Sequence, residues 1–313
     1  MIKLLFLSTF IFLSLPIICN GKSIAIDVIS VPKNLNDRWY SYTDDSSKQI
    51  LSLLKYLKRS PSGQVLIKKA QKKARKKGLA LIDIIKPGTH SITDTTLFRK
   101  FLPEDPSQMV INEKSMVYIN KELSFLDAIL DLSHELTHFN FRPTFNPYKN
   151  EYNIEDFIYS TIQGIGGEAD AIYVECKVLK ELHPRLYNSK ATCTKITNPN
   201  NNLPSHKMAI KQLYKIGSYY DQMTDALNHH PIKTKFSEET PKFISSAYGL
   251  PYPVASLLEF QTITKKVCEN DKRRLKHLKN AVNRLPASQS SEGVLKIKKL
   301  ERSINLKCQD HTN

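Results

Sequence analysis

Glutamate is absent from the first 103 residues of this 313-residue chain, and glycine is scarce throughout, at 10 residues. Ten glycines and 16 prolines without a period exclude a collagen-like or low-complexity chain. No segment recurs at the spacing of roughly 20 to 50 residues that marks a solenoid. After residue 18 no apolar run approaches the roughly 20 residues that a bilayer-spanning helix needs. No CxxC pair occurs, which argues against a cysteine zinc site. No cysteine lies between residues 22 and 175, so a metal-blocking thiol in that stretch is excluded. What is present is ordinary for a folded chain: 41% hydrophobic and 24% charged residues, enough to bury a sizeable core in roughly one or two domains.

The chain opens with a basic residue, Lys3, and an apolar stretch from Leu4 to Ile18. This pattern predicts a secretory signal peptide over residues 1–21, cut after Gly21, and places the mature protein outside the cytoplasm, secreted or periplasmic. A lipidated Cys19 fits less well, because Ile18 stands where a small residue is needed. Cleavage leaves Cys176, Cys193, Cys268 and Cys308, an even number in an oxidising compartment. Of the three pairings, sequence proximity favours Cys176 with Cys193 and Cys268 with Cys308.

Apolar periodicity predicts helices over Ser47–Arg59 and Ser62–Lys77, with Gly78 as a stop. Lys86-Pro87-Gly88 reads as a turn and Thr96–Phe101 as one helical turn. Residues 27–31 and Met116–Asn120 read as strands. Ser124–Asn140, Ile154–Gln163 and Glu168–Leu182 read as helices. Beyond Pro184 come helices over Lys207–Leu227, Ala255–Val267, Asp271–Leu285 and Gly293–Leu306. Strand signal is sparse after residue 122, so the fold class is α+β, with a mostly helical C-terminal half.

The Ser124–Asn140 helix holds His134-Glu135-Leu136-Thr137-His138, an H-E-x-x-H sequence. Histidines four apart share one helix face, so both imidazoles reach one ion. Glu135 lies about 100° round the helix from His134, beside the ion without ligating it. A metal there lowers the pKa of a water, and Glu135 serves as general base toward it.

A strand followed by a helix bearing this sequence resembles the zincin zinc metallopeptidases over residues 115–182. The resemblance implies one Zn2+ per chain, hydrolysis of a peptide or protein substrate, and a strand that holds the extended peptide. It also requires a third protein ligand. The metzincin pattern fails, because Phe139-Asn140-Phe141-Arg142-Pro143-Thr144 follows the motif. A carboxylate from a later helix, as in gluzincins, is then implied. Glu168 within Gly166-Gly167-Glu168-Ala169-Asp170-Ala171 supplies it best, since small neighbours let two helices approach closely. Asp170 and Glu175 are the next choices, with Glu155 and Asp156 behind them. Position 172 is Ile where thermolysin-like gluzincins have Asp, so the wider gluzincin group is the reading. Asp170 or Asp131 could orient a ligand histidine. An oxyanion donor is sought among His206, Tyr219, Tyr220, His229, His230, Tyr248 and Tyr252. The chain then divides into a basic mixed α/β region at 22–115, a metallopeptidase core at 116–183 and a helical region at 184–313.

The formal net charge is +16, and Lys68–Lys77 alone holds seven basic residues. Lys272–Lys279 is a second basic stretch. No nucleic-acid motif accompanies them, so an anionic surface or cell-wall polymer is the expected partner rather than nucleic acid. The alternative to an enzyme is a non-catalytic zinc-containing binding protein of the cell envelope.

Overall fold

The computed structural model describes residues 34–41, 45–101, 109–148, 153–227, 231–284 and 287–308. The signal peptide, the strand expected at residues 27–31, His229 and His230 lie outside them.

Two capped helices lead. In α1 (Ser46–Leu57) the Asp45 side chain accepts from the first backbone N–H groups, and in α2 (Pro61–Arg75) Ser60 does the same with Pro61 at the first position. A short turn, α3 (Leu81–Ile84), runs directly into β1 (Ile85–Gly88). Then follow β2 (Ile92–Phe101) and β3 (Met109–Asn120). Their order is β1-β3-β2, with β1 parallel and β2 antiparallel to β3.

This sheet corrects three expectations. Lys86-Pro87-Gly88 is strand, not turn. Among the described residues β1 pairs only with β3, so Pro87 stands on an edge where its missing N–H costs no ladder bond. Thr96–Phe101 is extended, not helical. Along β2 the half-buried Thr93, Thr95, Leu97 and Arg99 alternate with exposed Ile92, Asp94, Thr96, Phe98 and Lys100, which is a period of two. The strand at Met116–Asn120 is the end of the longer β3, bonded on both sides. It has no free backbone edge to offer a peptide, whereas β2 is paired on one side alone among the described residues.

The helical layer begins with α4 (Phe125–Phe141), which Ser124 caps. It continues with α5 (Ile154–Ile162) and α6 (Glu168–Leu182). Two short turns, α7 (Pro184–Tyr187) and α8 (Ala191–Thr194), precede a two-residue ladder, β4 (Thr197–Asn198) with β5 (Leu203–Pro204). The helix expected over Lys207–Leu227 is broken into α9 (His206–Leu213) and α10 (Tyr220–Ala226), with Gly217 at φ 59° between them. The helices expected over Ala255–Val267 and Asp271–Leu285 are one, α11 (Tyr252–Val282), because Cys268-Glu269-Asn270 contains no breaker. The last helix is α12 (Ala287–Cys308). The fold is mixed α+β and predominantly helical, with a small three-stranded sheet and a two-residue ladder among the described residues.

One buried apolar cluster runs from Trp39 to Leu257 and draws on helices from α1 to α11 and on β1 and β3. Trp39 is wholly buried and donates its indole N–H to the Asn120 carbonyl at 2.7 Å. Leu278, Val282, Leu300 and Ile304 make a second, separate cluster between α11 and α12. Disulfides join Cys176 to Cys193 and Cys268 to Cys308, the pairs of nearest neighbours in sequence.

The first disulfide ties α6, the helix that begins at Glu168, to α8. Replacing Cys176 and Cys193 together with Ala should lower stability by about 3 kcal/mol, the chain-entropy value for a loop of this size. Urea unfolding of the double variant measures it, and an unchanged midpoint would show that packing alone holds α6.

Candidate metal centre

The packing of α4 against α6 brings His134, His138 and Glu168 together. One donor atom from each lies within 4.8 Å of the others, and these three form a group able to hold a metal ion. His134 Nε2 is 3.2 Å from Glu168 Oε2, and His138 Nε2 is 3.4 Å from Glu168 Oε1. The imidazoles stand nearly perpendicular, with ring centroids 4.8 Å apart, as helix spacing of four requires.

Both rings are oriented from behind. His138 Nδ1 is 2.7 Å from the Gly166 carbonyl, which can only accept, so Nδ1 carries the proton and Nε2 is left free to ligate. His134 Nδ1 is 3.3 Å from Glu175 Oε2. A metal-binding histidine is commonly held this way, by a carbonyl or carboxylate on its other nitrogen. Glu175 was one of the ligand choices from sequence, and the structure puts it behind His134 instead. Glu168 and Glu175 are seven apart on α6, two turns along one face, and that spacing was the available signal.

Gly166 is held by sterics as well as by its carbonyl. Its φ is +71°, and a Cβ there would come within 2.3 Å of the Arg142 backbone nitrogen. Its N–H donates to Asp170 Oδ2 at 2.7 Å. Asp170 therefore does not join the donor group. It fixes the loop whose carbonyl aims His138, and its other oxygen lies 2.9 Å from His206 Nε2. Glu155 and Asp156 sit in the first turn of α5, outside the group.

Glu135 is buried beside the two histidines. Thr93 Oγ1 lies 2.8 Å from its carboxylate and 2.8 Å from its backbone carbonyl, so β2 positions this side chain. Sequence reading missed Thr93, because β2 itself was not recognised. Tyr252, the first residue of α11, stands beside Glu168. Of the oxyanion candidates it is the one against the carboxylates. Tyr248 lies further out on the cleft wall, Tyr219 and Tyr220 pack against the core, and His206 faces Asp170.

The electrostatics follow from burial. Burial works against ionised Glu168, yet the adjacent His138 and His134 hold its carboxyl well below the usual range. Burial also opposes a charged His134, but hydrogen bonds to Glu168 and Glu175 and the Glu135 charge raise it well above the usual imidazole range. Both His134 nitrogens face carboxylate oxygens, so without a metal both must be protonated. Burial, then the Glu168, Glu135 and Glu175 charges, push the Tyr252 hydroxyl well up. Asp131, on the same wall, is pushed up to about 6 by burial and by Glu175 and Glu135, against a hydrogen bond from Ser91. A donor set of two imidazoles and a carboxylate, surrounded by further carboxylates, matches the preference of zinc for N and O ligands with an added positive charge.

These residues line a cleft of about 940 Å³, and Phe243 and Tyr248 are also part of its lining. A second cavity of about 380 Å³ adjoins it past Thr93 and His138. No family model, curated protein or solved structure matches this chain.

Two outcomes follow from this geometry. Glu175→Gln should weaken zinc binding by roughly 10- to 100-fold, the usual cost of losing an outer partner of a ligand histidine. Competition titration with a chromogenic chelator reads this, and an unchanged affinity would remove Glu175 from the site. The second concerns pH. The ion-free contribution of raised His134 is complete below its unfolded value of 6.5 and is lost as pH rises through its folded value. That of depressed Glu168 is complete above its unfolded value of 4.5 and is lost as pH falls through its folded value. Chelator-treated protein should therefore lose thermal stability as pH climbs above 6.5, and zinc should restore it by replacing the His134 proton. Melting scans with and without zinc check this, and parallel curves would contradict it.

Proposed function

We propose that this chain is a zinc-dependent metallopeptidase of the zincin type, in the wider gluzincin group, exported from the cytoplasm. The carrying observation is the convergence of His134, His138 and Glu168, with both Nδ1 atoms held from behind and Glu135 beside the group. His134, His138 and Glu168 would hold the ion. When bound, zinc polarises a carbonyl and makes water more acidic.

The remaining steps belong to the chain. Glu135 accepts the proton of the attacking water and returns it to the leaving amine. The Thr93 hydroxyl keeps that carboxylate turned toward the cleft. Tyr252 donates to the carbonyl oxygen as negative charge grows there. β2 is unpaired on its outer edge among the described residues and starts at the cleft. It is the strand to which an extended peptide adds. The adjoining cavity, which sets apolar Leu97, Phe139 and Phe157 beside Lys73, Arg142 and Glu259, accepts a side chain of that peptide. Two disulfides suit an oxidising compartment, and no described helix is long and apolar enough to cross a membrane.

Elemental analysis should find about one zinc per chain, lost in His134→Ala. Glu135→Gln should keep the zinc and lose roughly 10²- to 10⁴-fold in hydrolysis of a quenched peptide library, the usual worth of a general base. Full activity in Glu135→Gln would overturn the mechanism. Wild-type protein that retains zinc and cuts nothing would leave a zinc-containing binding protein of the envelope.

A further inference from the structure

The second half of α11 and all of α12 form a helical arm with its own small core. Leu278, Val282, Leu300 and Ile304 bury against one another apart from the main cluster, and the Cys268–Cys308 disulfide fastens the pair. α12 packs chiefly on α11. Residues 265–308 contain 13 Lys and Arg against 4 Asp and Glu, which is +9 of the chain's +16.

The four acids are already engaged. Glu301 pairs with Lys279, Glu292 with Lys296, Asp271 with Arg99, and Glu269 lies near Arg273. Lys298, Lys299 and Arg302 are exposed with no carboxylate partner among the described residues. Two leucines frame them. Leu295 is 68% and Leu306 72% exposed, and they stand eleven residues apart. Eleven residues are about three helical turns, so the two leucines lie on one line with the three cations between them.

We infer that this outer face of α12 docks the protein on an anionic phospholipid surface. Arginine and lysine meet the lipid phosphates while Leu295 and Leu306 enter the boundary between headgroups and acyl chains. A soluble polyanion would satisfy the cations but leave both leucines in water, and that difference selects lipid. The inference does not depend on the metal centre.

Co-sedimentation of the purified protein with vesicles tests it. Binding is expected to vesicles of equal phosphatidylglycerol and phosphatidylcholine and not to phosphatidylcholine alone. Leu295→Ser with Leu306→Ser should cut that binding about tenfold, since partition scales with the apolar area inserted. Lys298→Glu with Lys299→Glu and Arg302→Glu should abolish it. Unchanged circular dichroism of both variants shows the arm still folded. Three results would overturn the inference. One is no binding to either vesicle. Another is a leucine variant that binds as well as wild type and is displaced by polyaspartate, which marks a polyanion face. The last is leucine-dependent dimerisation without vesicle binding, which marks a self-interface.

Discussion

Glu135, Glu168 and Glu175 are only 6%, 8% and 9% exposed, and an ionised carboxylate out of water is costly unless positive charge stands close. The centre of this molecule is arranged around that cost. Two imidazoles reach the carboxylates because α4 and α6 pack face to face, and they pack closely because the turn before α6 has no side chain at Gly166. A Cβ there would strike the end of α4. The same glycine presents the carbonyl that aims His138. Backbone shape, ring orientation and charge balance are thus one constraint, and a proton on His134 or a divalent cation can each meet it.

The parts legible in sequence are those with a short-range period. His134 and His138 four apart on an apolar helix could hardly point anywhere but to one spot, and Glu168 after two glycines marked a helix start by composition alone. The cysteine pairs were the nearest neighbours in sequence, and the structure joins them so. What sequence did not show depends on long-range contact. β2 carries threonine, aspartate, arginine and lysine among its apolar residues, so its alternation has weak contrast. Only its ladder with β3 makes it a strand. Thr93 was therefore hidden, and with it the group that holds Glu135. The outward strand was misjudged for the same reason. Met116–Asn120 has the stronger β signal because it is central and buried, which is also why it has no free edge.

Two charge systems coexist in this chain, and α11 separates them. Its first residue, Tyr252, touches the carboxylates of the centre, and its far half belongs to the cationic arm. A 31-residue helix spans about 46 Å at 1.5 Å per residue. Exposed charges are screened beyond about 8 Å at physiological ionic strength, so the arm cannot neutralise the centre. The Arg99–Asp271 ion pair, buried at both ends, fixes α11 to β2 part-way along. In the proposals above each system finds its counter-charge outside the chain: a cation in the cleft, where a proton on His134 otherwise serves, and an anionic surface at the arm.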